Sequence, residues 1–520
     1  MRFIKSRKPL VDSTSARELA QENLSAQLQD NIDILSKFLE RCSDAVIKEF
    51  AFGTPSVKAA LYFFDGLADR KEIELNILKS LMLELPPELS EQSGEPEFLK
   101  IVMHRLLPGA DVKAISTFDE LVHHISSGDT VLLIDGSRGG LAVSTRSWET
   151  RSIDTPENET TIFGPKEGFN ETLRMNTALL RRRLKSTNFK IEGLVLGKIT
   201  KTDVVLCYMD HIAPPKLVKE VQERLAKIDI DGILDTGYIA ELVTDEKHSI
   251  FTQTLHTEKP DSVCGHLLEG RIAILVDGSP MALILPISFP QYMISPEDYY
   301  TNYVAASLFR ILRYLAFFIA LLLPSLYVAI ITYHQEMLPT SLILTIAATR
   351  QGVPFPAFVE ALILETTFEL LREAGLRLPR SVGPAVSIVG ALIIGDAAVR
   401  AGLVSTPMVV VVAATGIASF VMPSYNAGII TRIARFGFLI AAGFLGFLGI
   451  MVALVLMLVR MASLSSFGQP YLTPVAPFDS TQITDLLVRR PWFAMTKRPF
   501  LEGMENQVRQ KSHQDGEAKE

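Results

Sequence analysis

The chain has 520 residues, 48% of them hydrophobic and 21% charged, and carries a formal net charge of −7. That length accommodates about three domains, and the acidic balance leaves no basic footprint for nucleic acid. Charged residues fall mostly before residue 300 and after residue 470, with long apolar runs between. This layout argues against a free-standing soluble enzyme and for a soluble N-terminal half on an all-α polytopic membrane domain.

Residues 1–25 read as a mobile polar N-terminus, basic at its start but with no apolar core behind it, hence neither a signal nor a transit segment. The N-terminal half is therefore expected in the cytoplasm. A first α/β subdomain spans 26–149. Leu28, Ile32, Leu35, Phe38 and Leu39 recur at helical spacing. Strands follow at 45–52 and 58–64, then a helix at 71–85 closed by Pro86 and Pro87, a polar loop at 88–94 and a short helix at 118–126.

Two decapeptides then line up: GDTVLLIDGS at 128–137 and GRIAILVDGS at 270–279. Each gives an apolar strand, an Asp-Gly turn and a second apolar strand, at 140–144 and 281–287. Asp-Gly between two apolar runs is a hairpin signal, so the half is read as two small α/β subdomains ending in similar hairpins. A linker with a basic helix is expected over 150–186, with Arg174, Arg181, Arg182, Arg183 and Lys185 on a solvated face; anionic headgroups or acidic partners are the other reading. The second subdomain, 187–292, shows strands at 189–199 and 203–208, a helix at 214–228, an extended stretch at 233–239 and a helix at 260–268. Alternating strands and helices indicate α/β units.

Motifs for chemistry are missing. There is no phosphate loop, dinucleotide fingerprint, nucleophile elbow or HExxH, and His104, His211, His248, His256 and His266 are scattered. Cys42, Cys207 and Cys264 form no metal-like cluster and read as reduced thiols. No enzyme, cofactor or metal site is expected.

The membrane domain is placed at 305–465, from charge-free runs at 314–333, 381–395, 401–431 and 436–459. A bilayer core takes about 20 apolar residues of helix, giving four long spans plus a Pro-broken amphipathic or re-entrant segment, 337–373. Arg310 and Arg313 precede the first run, Arg432 and Arg435 separate the third and fourth, Arg460 follows, and Arg489, Arg490, Lys497 and Arg498 lie in a cytoplasmic tail, 466–520. Four spans put Arg432 and Arg435 on the wrong side unless a further segment crosses or dips, so four, five or six spans stay open.

Carboxylates in this domain are the candidate ion path or gate: Glu360, Glu365, Glu369, Glu373 and Asp396. Glu365, Glu369 and Glu373 share one helical stripe that must face water, a pore or another subunit, since lipid contact costs several kcal/mol. The other reading is an interfacial helix with local Glu369–Arg372 and Glu373–Arg377 pairs. Asp396 interrupts an apolar helix, with Arg400 one turn on as its bland partner.

The segments DGSPMALILP (277–286), SPEDYY (295–300), the run 312–395, AGLVSTPMVVVVAATGIASFVMPSYNAGI (401–429) and SFGQPYLTPVAPF (466–478) resemble the A subunit of GerA-type spore germination receptors, over nearly all of 270–478. The resemblance implies a multi-pass germinant receptor subunit in the spore inner membrane, its N-terminal domain on the cytoplasmic or core side. It implies a homo-oligomeric, ligand-gated channel for monovalent cations, with a B-type integral membrane subunit and a C-type lipoprotein as partners and no cofactor. Asp396 departs from that pattern, where a neutral polar residue, often glutamine, is usual. The related sporulation-type AF branch, an accessory channel, shares the fold. A non-conducting scaffold, or a transporter with helices broken at Pro354-Phe355-Pro356 and Pro423-Ser424, are the alternatives.

Overall fold

The computed structural model describes residues 22–53, 56–83, 98–103, 111–147, 156, 159, 162–377, 393–479, 483–499 and 501–510. The loop 88–94, His104, most of the 381–395 run and most of the polar stretch 150–161 lie outside them. The described residues fall into two compact units: those within Met1–Val243, His256–Leu285 and Lys497–Arg509 form an α/β unit, and those within Thr244–Leu255, Pro286–Thr496 and Gln510–Glu520 form a helical unit. The fold class is the one the sequence indicates.

The α/β unit builds one five-stranded sheet twice. The first copy carries α1 (Leu28–Phe38), β1 (Ala45–Phe52), β2 (Val57–Phe64), a helical stretch α2 (Arg70–Glu72, Ile73–Leu78, Lys79–Leu83), α3 (Phe98–Ile101), β3 (Val112–Ile115), α4 (Phe118–Ser126), β4 (Thr130–Ile134) and β5 (Gly140–Val143). The second carries α5 (Leu173–Arg183), β6 (Phe189–Leu196), β7 (Thr202–Met209), α6 (Pro215–Ala226), α7 (Thr236–Val243), β8 (Leu255–Thr257), α8 (Pro260–Leu268), β9 (Ile272–Val276) and β10 (Ala282–Leu285). Strand orders are β1-β2-β4-β5-β3 and β6-β7-β9-β10-β8, the same order with every strand number shifted by one copy. From Ala59 to Phe64, β2 reads as an unbroken apolar run because both its faces are covered. Ala60, Tyr62 and Phe64 pack with Leu35 of α1 and Leu121 of α4, while Ala59, Leu61 and Phe63 pack with Ile77 and Leu81 of α2.

Each Asp-Gly-Ser turn does more than join strands. Asp135 Oδ1 accepts from the Leu28 amide at 3.0 Å, and Asp277 Oδ1 from the Leu173 amide at 3.1 Å, so each aspartate caps the helix that opens its copy. Asn31 closes a loop on Ser25 (2.9 and 2.7 Å), and Asn176 closes the same loop on Asn170 (2.9 and 2.6 Å). The basic helix at 173–183 thus opens the second copy and is not a linker. Nor is it a solvated face throughout: Arg181 is fully buried against Asp44, and Arg182 and Arg183 share Glu167. The stretch 233–239 is not extended. Asp235 accepts from the Gly237 amide at 2.9 Å and starts helix α7 there. Residues 22–25 belong to the fold too, with Leu24 buried and its amide bonded to the Ser116 carbonyl. Cys42, Cys207 and Cys264 are buried and unpaired.

The helical unit holds α9 (Tyr303–Tyr333), α10 (Thr340–Arg350), α11 (Ala357–Arg377), short turns at Ile393–Ala397 and Ala398–Arg400, α12 (Thr406–Phe420) and α13 (Tyr425–Ser463). Among the described residues α9 and α13 are long and apolar enough to cross a membrane, and α12 is a shorter apolar helix. The expected single span over 401–431 is two pieces. Pro423 has no amide hydrogen to carry the helix on, and Ser424 is extended before α13 begins.

α13 is itself not straight. Gly446 has φ 60° and ψ −136°, and the chain reverses there. A Cβ on Gly449 would stand 2.0 Å from the Ala441 carbonyl oxygen, whereas eight residues of continuous helix span about 12 Å. Both far ends of α13 return to one segment: Asn426 donates to the Thr254 carbonyl at 3.4 Å, and Arg460 meets Glu246 at 3.0 Å. The arms 425–445 and 447–463 therefore form a helical hairpin. Tyr333, at the end of α9, donates to the Gly443 and Phe444 carbonyls (2.8 and 3.1 Å) that the reversal leaves without helical partners.

Candidate functional site

Helix α11 (AFVEALILETTFELLREAGLR) is built of strong helix formers and runs beside α12 and the first arm of α13. Two small residues let it approach closely: Cβ atoms on Gly416 or Gly443 would come within 2.5 Å of Phe368 and Phe358. Its carboxylates meet cations from the neighbouring helix. Arg435 of α13 lies 3.2 Å from Glu365 and 2.7 Å from Glu369, and the side chains of Arg435 and Glu365 are each 1% exposed. Arg432 reaches Glu369 at 3.3 Å, and Arg372 reaches it at 3.5 Å from within α11. Arg372 also donates to Ser419 and lies over the rings of Phe420 (4.6 Å) and Phe368 (5.2 Å).

The remaining candidates stand elsewhere. Glu360 is fully buried; it accepts from the backbone amide and hydroxyl of Ser405 and lies 3.7 Å from Arg350. Glu373 is exposed and pairs with Arg377 at 2.6 Å, and Asp396 is exposed and pairs with Arg400 at 2.7 Å. Of the five carboxylates, then, Glu365 and Glu369 share one cluster, Glu360 is buried nearer the start of α11, and Glu373 and Asp396 make local pairs one helical turn long. The expectation that the stripe faces water, a pore or a second subunit is not what the single chain shows at Glu365. That carboxylate is enclosed by its own chain because Arg435 lies opposite it.

Arg432 and Arg435 read in the sequence only as topology markers. Two arginines inside an otherwise apolar helix are costly unless paired, which signals that they have partners without naming Glu365 and Glu369. Among the described residues no group of three His, Cys, Asp or Glu could hold a metal ion. The cluster carries no nucleophile and base pair, so it offers electrostatics and not covalent chemistry. Attraction between α11 and α13 is concentrated in a low-dielectric space, where losing one partner leaves the other charge buried and unmatched.

The family described as Bacillus/Clostridium GerA spore germination protein matches residues 33–501. Spore germination protein KA of Bacillus subtilis (strain 168) is 44% identical over 488 residues, covering 94% of this chain and 89% of its own. Spore germination protein B1 of the same strain is 40% identical over 94% of this chain and 100% of its own, and spore germination protein GerLA of Bacillus cereus is 38% identical over 90% and 94%. Among solved structures, the N-terminal domain of the A subunit of the Bacillus megaterium spore germinant receptor GerK3 is 33% identical, covers 52% of this chain and 98% of its own, and aligns with a TM-score of 0.42. With the family matched from residue 33 to residue 501, over both the duplicated α/β unit and the apolar helical unit, this chain belongs to the GerA spore germination protein family.

Proposed function

We propose that the chain is the A-type subunit of a germinant receptor in the spore inner membrane. It passes the bilayer several times with its α/β unit on the core side. It assembles as a homo-oligomer with a B-type integral membrane subunit and a C-type lipoprotein, and releases monovalent cations when a nutrient binds the complex. One observation carries this reading: Glu365 and Glu369 of α11 are bound to Arg432 and Arg435 of the apolar helix α13. A latch of this kind holds a path shut at low cost while paired, and its separation exposes carboxylates that attract cations. The hairpin of α13 turns at the far end of α9, so both its ends lie toward the side on which α9 begins; this supports a cytoplasmic tail, with Arg432 and Arg435 toward the cytoplasm.

The test is rubidium uptake into liposomes holding this subunit with its partner subunits. Uptake that begins on adding the germinant supports the proposal. Proteoliposomes that stay tight with every subunit present and the germinant bound contradict it.

A further inference from the structure

We infer that the charge cluster between α11 and α13 is completed by the phosphodiester headgroup of an anionic phospholipid, held by Arg432 and Arg372. This rests on the reading that the helical unit lies in a bilayer, and it adds a ligand that the reading does not require.

Charge count is the first observation. Glu365 and Glu369 face Arg372, Arg432 and Arg435. Two carboxylates neutralise two guanidiniums, and one positive charge is left. The other acids of α11 are engaged elsewhere, Glu360 with Ser405 and Arg350 and Glu373 with Arg377. No Asp or Glu lies in the sequence between Glu373 and Asp396, and Asp396 is held by Arg400. A cation in apolar surroundings needs a counter-charge, and among the described residues no further carboxylate pairs with Arg372, Arg432 or Arg435, so the counter-charge is assigned to a group from outside the chain.

Position is the second. Arg435 is sealed, but the side chains of Arg372 and Arg432 keep 10% and 17% of their surface and reach the rim. The Nε atoms of Arg372 and Arg435 are buried without a hydrogen-bond acceptor. The rim is greasy: Phe420, whose ring lies under Arg372, is 69% exposed, and Tyr425, whose ring lies under Arg432, is 60% exposed. Acyl chains gain from such a border and a free soluble anion does not. Arg432 lies seven residues past the start of α13 at Tyr425, about 10 Å along the axis, within reach of the headgroup layer for a long side chain. Basic pockets between membrane helices recognise phosphate headgroups in this way.

The experiment follows thermal unfolding of the full-length chain in detergent, with soluble short-chain phosphatidylglycerol, short-chain phosphatidylcholine or inorganic phosphate. Phosphatidylglycerol is expected to raise Tm by several degrees while the other two leave it in place. Arg432→Gln is expected to abolish the shift and Arg432→Lys to restore part of it. An equal shift with inorganic phosphate makes the site a free-anion site and overturns the lipid assignment, as does an equal shift with phosphatidylcholine or an undiminished one in Arg432→Gln. Should Arg432→Gln not fold, lipid co-purifying with the wild-type chain decides the matter: phosphatidylglycerol enriched over the host membrane supports the site, and bulk composition overturns it. A chain that stays in solution without detergent contradicts the bilayer reading instead.

Discussion

Arg181, in the helix that opens the second copy of the α/β fold, clasps Asp44, in the turn just before the first strand of the first copy. Its Nε and Nη2 donate to the two carboxylate oxygens at 2.9 and 2.8 Å, and both side chains are at most 3% exposed. Nη1 donates to the Phe189 carbonyl at 2.8 Å, and the guanidinium lies 4.3 Å over the Phe64 ring. One side chain thus joins the two copies. Because the pair is buried, removing one partner costs far more than replacing both. Asp44→Ala is expected to destabilise the α/β unit by about 3–5 kcal/mol, whereas Asp44→Leu with Arg181→Met costs much less. The local reporter is Cys42, buried beside this pair. Its labelling by a thiol reagent accelerates steeply in the single variant and modestly in the double. Equal acceleration in both contradicts the reading.

The reversal of α13 is a distance prediction. Spin labels at residues 428 and 459 stand side by side if Gly446 turns the chain, and about 46 Å apart if the helix is straight. Gly446→Leu places a side chain where a Cβ already meets His334 Cε1 at 2.9 Å, at a φ that favours glycine. Broadening or loss of the short distance in that variant is expected, with a cost of about 1–3 kcal/mol. A long distance in the wild-type chain contradicts the hairpin.

Glu159 makes stability depend on pH. Burial raises its carboxyl from the usual 4.5 to about 7, against the hydrogen bond that Thr257 donates to it at 2.6 Å. A folded-state value above the unfolded one means the folded protein holds its proton more tightly. The associated stability is fully present below pH 4.5 and is lost as pH rises through about 7, an effect of about 3 kcal/mol at most. Glu159→Gln is expected to flatten the slope of unfolding free energy between pH 5 and 8. An unchanged slope would show that the carboxylate ionises in the fold without penalty.

Local signals in the sequence carried most of the α/β unit. Residues 45–52 form a strand with the expected bounds, and 118–126 form the expected helix because Thr117 and Glu120 cap it reciprocally. The two Asp-Gly-Ser turns exposed the duplication, but only its closing hairpins. The opening helices differ in charge, and the shared feature, an asparagine folded back onto the loop before it, is one residue in each copy. Partners distant in sequence are illegible: nothing near Arg181 announces Asp44, so it reads as part of a solvated face, and nothing near Glu365 announces Arg435, so it reads as facing water, a pore or another subunit. In the apolar helices the reverse holds. Runs without charge locate lipid-like surface well, but hydropathy is blind to direction, and a glycine with positive φ inside such a run divides one apparent span into two arms.

The resting leak of reconstituted receptors tests the central claim most directly. With Glu365→Gln and Glu369→Gln together, Arg435 loses both carboxylates that hold it. Potassium efflux without germinant is then expected to rise about tenfold or more over wild type, from roughly 1.4 kcal/mol or more taken from the closed state. Efflux in the double variant equal to wild type, with the subunits assembled and germinant response intact, would contradict the assignment of this cluster as the gate.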